Sequence, residues 1–134
     1  QFLEELFTPG NSGEKKSVIE KNIEHKDEIT YDDFDKIELR VAEVLDCKKH
    51  PKADKLLIFS LKLGNEDRQI VSGIANFYDP QTLIGKKVVI VANLKPVKLR
   101  GEISEGMILS AATDDDSMLE VVEVDKIESG SEVR

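Results

Sequence analysis

The chain of 134 residues has one cysteine, two histidines, four prolines, seven aromatic rings and no tryptophan. A lone Cys47 forms no internal disulfide, which excludes a small secreted domain stapled by cystines. One cysteine with His25 and His50 is too small a donor set for a structural zinc site. The longest apolar run, Val88 to Ala92, falls far short of the roughly 20 residues that cross a bilayer, and no basic-then-apolar leader opens the chain. These absences point to a cytoplasmic setting with no membrane partner. No period of about 20–50 residues is visible, so repeat solenoids are excluded. The first residue is Gln1 and not Met, so a piece of a longer protein is expected.

What is abundant is charge. Charged residues make up 34% of the chain and the formal net charge is −8, a sign that argues against polyanionic partners. Segment by segment the conclusion changes. Residues 1–35 carry −6, residues 36–100 carry +6, and residues 101–134 carry −8. A basic middle between acidic ends suggests nucleic-acid contact.

Periodicity divides the chain at the same place. Phe2, Leu3, Leu6 and Phe7 have helical spacing up to the breaker run from Thr8 to Gly13, and Glu14–Asp27 is a second short helix candidate. Residues 1–28 therefore read as a helical appendage or linker and 29–134 as the domain proper. From Ile37 onward strands are expected. The first runs from Leu39 towards Cys47. Leu57, Phe59, Leu61 and Leu63 alternate with Ile58, Ser60 and Lys62, so the second has one apolar face. After a turn at residues 64–67, Arg68–Ser72 completes a hairpin. Asp79, Pro80 and Gly85 mark a single helical turn as cap, first position and stop. Lys87–Ala92, Gly106–Ala112 and Leu119–Val124 supply the remaining strands. The predicted fold is mainly β: a five-stranded Greek-key OB-fold barrel with a short helix before strand 4.

Catalysis finds little to stand on. The glycines lack a phosphate-loop spacing and read as turns, so no nucleotide or other cofactor is expected. Asp114–Asp116 lacks the spacing of a calcium loop and reads as a solvated turn. Cys47 and His50 have no third group to orient them as a nucleophile–base pair. The basic middle says more. Lys48, Lys49, Lys52 and Lys55 fall within eight residues between two strands, and Lys95, Lys98 and Arg100 follow the strand that ends near Asn93. Two basic loops at one rim of such a barrel would make a phosphate-binding surface, with Asn93, Ser104 and Ser72 as uncharged donors. Phe59 belongs to the core, and Phe77 and Tyr78 are the free aromatics, better placed to pack the short helix than to stack bases. Phosphates and folded RNA shape are thus the expected target, not splayed single strands.

Five ordered segments are also familiar together: Ile37–Val41, His50–Leu56, Val71–Ile74, Asn93–Gly101 and Ser104–Met107. They closely resemble the tRNA-binding OB domain at the C-terminus of bacterial methionyl-tRNA synthetases, a module that also occurs as a free tRNA-binding protein. The resemblance covers about residues 29–134. It implies a non-catalytic domain that holds tRNA by shape and raises the tRNA affinity of the synthetase body, either covalently joined or as a separate alpha chain. It also implies a homodimer, since the chain stops at Arg134 without the extra C-terminal domain that replaces the second subunit in other relatives. By the same resemblance Lys52, Lys55, Ser104 and Met107 fall in the tRNA-binding region; Asn93, Lys98 and Arg100 are added from motif and charge. Met107 has a second reading, as a core side chain at a strand start. Two other functions stand beside this one. A CsaA-like peptide-binding chaperone uses a related dimeric fold, though such proteins generally depart from the Lys-His-Pro-x-Ala-Asp-Lys loop. A pure dimerisation module is the third.

Overall fold

The computed structural model describes residues 22–134. The expected helix at Phe2–Phe7 and the first part of that at Glu14–Asp27 lie outside the described residues. Asn22–Asp27, the remainder of the second, has no regular structure. A helix absent from the sequence expectation, α1 (Tyr31–Asp35), stands instead just before the sheet. Thr30 Oγ1 accepts from the Asp33 amide and Asp33 Oδ2 accepts from the Thr30 amide, both at 3.2 Å. This reciprocal cap starts the turn, and Thr-x-x-Asp was its legible signal.

The sheet is built around one long strand, β1 (Leu39–Lys49). It pairs antiparallel with β2 (Leu57–Leu63) and β4 (Lys87–Val91), and its first residues also pair with β11 (Glu132–Val133). β3 (Glu66–Ser72) completes the hairpin expected with β2. Between β3 and β4 a 3-10 turn, Pro80–Thr82, begins at Asp79, whose carboxylate accepts from the Gln81 amide at 3.1 Å. The chain then turns at Leu83, which is fully buried. The core lies inside the curl of this antiparallel half-barrel. Leu57, Phe59, Leu61, Ile70, Leu83, Val88 and Ile90 fill it, each buried side chain stabilising by about 1.5–3 kcal/mol.

Strict alternation along β1 would turn Cys47 outward. The register with β2 slips between Val44 and Asp46, leaving Leu45 as an extra, exposed residue. That bulge returns Cys47 to the core beside Ala42 and Val44. Burial pushes the Cys47 thiol up to about 12, with the Asp46 charge adding to the shift.

Three expectations on strand limits are corrected. The stretch Gly106–Ala112 is two strands, β7 (Met107–Ile108) and β8 (Ser110–Ala112), and Leu119–Val124 is β9 (Leu119–Val121) and β10 (Glu123–Val124). The breaks occur where partners change. Leu109 donates to the Val89 carbonyl, Val122 to Leu109 and Val89 to Val122, a junction at which β7 and β10 pair with β4 while β8 and β9 pair with each other. Second, Lys48 and Lys49 belong to the end of β1, paired with Ile58 and Leu57, and not to a loop. Third, the basic stretch after β4 folds as a hairpin, β5 (Val97–Leu99) with β6 (Glu102–Ser104). Ile58, expected on an outward face, is buried at 4% exposure.

Candidate nucleic-acid interface

The candidate surface is made where the β1–β2 loop meets the tip of the β5–β6 hairpin. The loop closes on itself through the His50 amide donating to the Leu56 carbonyl (3.0 Å) and the Leu56 amide donating to Ala53 (3.1 Å). The hairpin tip is a two-residue turn with Arg100 at φ +50° and Gly101 at φ +92°. Both central residues in the left-handed region describe the turn whose twist suits a two-residue hairpin. Arg100 adopts that backbone without being glycine, and it carries both a charge and a carbonyl used across the site.

His50 links the two. Its ring is 5% exposed; Nδ1 accepts from the Lys52 amide and Nε2 lies against the Arg100 carbonyl, each at 3.0 Å. The Arg100 guanidinium donates back to the Lys52 carbonyl at 3.4 Å. Both imidazole nitrogens are therefore engaged with backbone, and neither is used on the Cys47 thiol. Sequence reasoning weighed His50 as a zinc ligand and as a partner of Cys47 and left it out of the site; its place within the ordered segment His50–Leu56 was the available signal.

Lys48, Lys49, Lys52, Lys55, Lys95, Lys98 and Arg100 are all exposed. Among the described residues, none of the seven takes part in an ion pair with an acid. Lys52 and Arg100 are brought together directly. Lys98 precedes Arg100 on the hairpin by two residues, and Lys48 and Lys49 lead into His50. Lys95 is set apart near Asn93, at the end of β4 that pairs with the beginning of β1.

The uncharged candidates have internal partners. Asn93 accepts from the Glu38 amide (3.0 Å) and donates to the Lys36 carbonyl (2.8 Å), tying the residues after α1 to the end of β4. Ser104 is 2% exposed; its hydroxyl accepts from the Val71 amide at 3.0 Å and donates to the Gly106 carbonyl at 3.1 Å. Beside it, Glu105 accepts from the Gln69 amide through its side chain (2.9 Å) and donates its own amide to the Gln69 carbonyl (2.7 Å). These side chains stand where a neighbouring strand would pair with the edge of β3, and they seat the base of the hairpin. Gly106 follows at φ +142°, where an added Cβ would lie 2.8 Å from the Val91 carbonyl oxygen. Met107 is 47% exposed and pairs with Val91, so the core reading of its side chain is overturned.

Neither the His50–Leu56 segment nor the Val97–Ser104 hairpin contains Phe, Tyr or Trp, while Phe77, 36% exposed, lines a cavity with Tyr78 and Lys49. Tyr78 packs against the core and its hydroxyl accepts from the Val121 amide at 3.0 Å. Tyr31, not considered as a free ring from sequence, is 71% exposed and lies 6.4 Å from Phe34 between centroids. At the Asp114–Asp116 turn, Asp115 accepts from the Ser117 hydroxyl (2.8 Å) and amide (3.0 Å) and from Thr113 (2.9 Å), which hold its carboxyl below the usual range. Among the described residues, no group of three His, Cys, Asp or Glu side chains converges as a metal site would. Nor is any helix among them long and apolar enough to cross a membrane.

Comparison with known proteins fits this geometry. Residues 39–132 match the family model described as "Putative tRNA binding domain". The chain is 60% identical over 109 residues to a methionine–tRNA ligase of Clostridium perfringens, covering 81% of the chain and 17% of that relative. It is 65% identical over 101 residues to the ligase of Enterococcus faecalis, covering 74% of the chain and 15% of the relative. The chain thus spans about a sixth of the length of such relatives. Among solved structures it is similar to a "MetRS related protein" from Pyrococcus horikoshii, with TM-score 0.78 and 34% identity over 81% of this chain and 100% of that one. A CsaA chaperone protein from Picrophilus torridus has TM-score 0.72 and 29% identity over 80% and 100%. The curl of the half-barrel, the ordered motifs and these likenesses agree: the chain belongs to the tRNA-binding-domain family, in the form carried by methionine–tRNA ligases.

Proposed function

We propose that this chain is a non-catalytic tRNA-binding domain, C-terminal in or attached to a cytoplasmic methionyl-tRNA synthetase, that raises the synthetase's affinity for tRNA. The observation that carries the reading is the set of exposed cations on two loops joined through one buried ring, with no carboxylate of the described residues neutralising them. Ammonium and guanidinium groups left without an acid partner are suited to phosphates of a folded backbone. That the His50–Leu56 loop and the Val97–Ser104 hairpin carry no Phe, Tyr or Trp favours shape over base stacking. Lys48, Lys49, Lys52, Lys55, Lys98 and Arg100 would contact phosphates, Lys95 would extend the surface, and Met107 would add an apolar contact. Asn93 and Ser104 would act by seating the hairpin and the strand ends that present these groups. The curled sheet is read as a Greek-key OB barrel.

The homodimer belongs to the same proposal. Light scattering of the isolated chain at two concentrations tests it, and a monomer at both would remove the dimer from the reading.

Titration with bulk tRNA and with single-stranded RNA at two salt concentrations tests the function. Tighter binding to tRNA, falling steeply with salt, is expected. The likeness to CsaA chaperones carries the second reading, a binder of unfolded polypeptide. Retention of a denatured protein but not of tRNA at moderate salt would favour it. A stable dimer with affinity for neither would leave a dimerisation module.

A further inference from the structure

The β5–β6 hairpin is held at two places that differ in kind. Its base is seated on β3: Gln69 Nε2 donates to the Ile103 carbonyl at 2.9 Å, and Ser104 and Glu105 engage the backbone of Val71 and Gln69. Its tip is joined to the basic loop through His50 Nε2 and the longer Arg100–Lys52 contact. The backbone N–H of Lys52 can only donate, so Nδ1 must be the acceptor nitrogen, and Nε2 carries the proton that the Arg100 carbonyl accepts. One neutral imidazole therefore satisfies one backbone group on each basic loop, and only in one tautomer.

We propose that His50 is the positioning residue of the tRNA-binding edge: its Nε2-protonated imidazole fixes the spacing between the cations of the β1–β2 loop and those of the β5–β6 hairpin without itself touching RNA. This rests on the function proposed above and adds to it how the two loops act as one site. A Lys or Arg side chain gains most from a phosphate when its backbone is already held at the right distance. His50 supplies that holding across two segments 50 residues apart. Because Gln69, Ser104 and Glu105 seat the hairpin base, loss of the ring should loosen the tip and leave the fold standing.

Two measurements on the whole chain test this. Nitrogen–proton correlation of the His50 ring, without RNA, should show a single Nε2–H tautomer with an unprotonated Nδ1. An Nδ1–H tautomer or an averaged His50 ring would overturn the proposal. His50→Ala should bind tRNA about tenfold more weakly with a shallower salt dependence, although every cation is retained. His50→Gln, which can still donate to the Arg100 carbonyl, should recover more of the affinity than His50→Asn. A folded His50→Ala binding tRNA like the parent would overturn the proposal. If His50→Ala fails to fold, the ring spectrum of the parent and the Gln–Asn comparison still decide. A parent chain with the expected tautomer but no tRNA affinity would instead overturn the function.

Discussion

Basic side chains do different work on two parts of this domain. At the loop–hairpin edge, Lys52, Lys55, Lys98 and Arg100 are exposed and no acid among the described residues pairs with them, although Arg100 also reaches the Lys52 carbonyl at 3.4 Å. Away from it, Lys62 faces Asp67 at 3.9 Å, Lys86 faces Glu123 at 3.4 Å, and Arg68 pairs with Glu66 at 3.3 Å. Arg68 goes further, donating to the carbonyls of Ala92 and Glu105 at 2.8 and 3.2 Å. A positive segment charge is therefore not a binding surface by itself. What counts is which cations the fold leaves without a carboxylate, and which it spends on its own backbone.

The sharpest way to break this contrast is to remove four cations from the edge. K52A, K55A, K98A and R100A together should lower affinity for all tRNAs alike by roughly a hundredfold at physiological salt, with a shallower salt slope. Thermal stability should move little, since exposed substitutions are usually within about 0.5 kcal/mol. Unchanged retention of bulk tRNA in a filter assay would sink the assignment. Arg68→Ala should do the reverse. It strands two backbone carbonyls and should cost about 1–3 kcal/mol in denaturant unfolding while leaving the salt slope of tRNA binding intact.

Smaller effects refine the picture. K62A with K86A removes two positive charges from acid-paired positions. Stability should fall by at most about 1 kcal/mol, and tRNA affinity should change far less than in any double substitution at the edge. The Cys47 thiol, held up to about 12, should resist thiol reagents in the native state. Its pKa is raised on folding, so the neutral form is favoured: stability from this group is intact below the ordinary thiol value of 9.0 and is lost as pH rises from there towards 12. Unfolding of Cys47→Ala compared with the parent over that range should show the parent losing more. The least effect is expected at the acidic β8–β9 turn. Neutralising Asp114, Asp115 and Asp116 should raise binding to unrelated polyanions about twofold, and no increase would remove that turn as a shield against non-specific adhesion.

Much of this was legible in the sequence because its signals are local. Alternation at Leu57, Phe59, Leu61 and Leu63 marked a strand with one core face, and Asp79-Pro80 marked the short turn. The charge reversal after residue 35 and the ordered basic motifs located the candidate surface. The errors arose where long-range pairing overrode local pattern. Nothing near Leu45 announces a bulge, and the break at Leu109 exists because the strand exchanges β4 for β9. Ser104 and Asn93 carry the same donors whether they face RNA or their own chain; only the fold decided that Val71 and Glu38 reach them first.

The sequence alone determined the mainly β class, the family motifs and which residues carry positive charge, since composition and short-range periodicity suffice for these. It did not determine which charges remain available. That depended on tertiary structure bringing Lys62 to Asp67 and Lys86 to Glu123, and on a buried imidazole joining a loop at Lys52 to a hairpin tip at Arg100. Hydrogen bonds and ion pairs act over about 3–4 Å in space, and residues 50 apart in the chain meet at that range only once the sheet has curled.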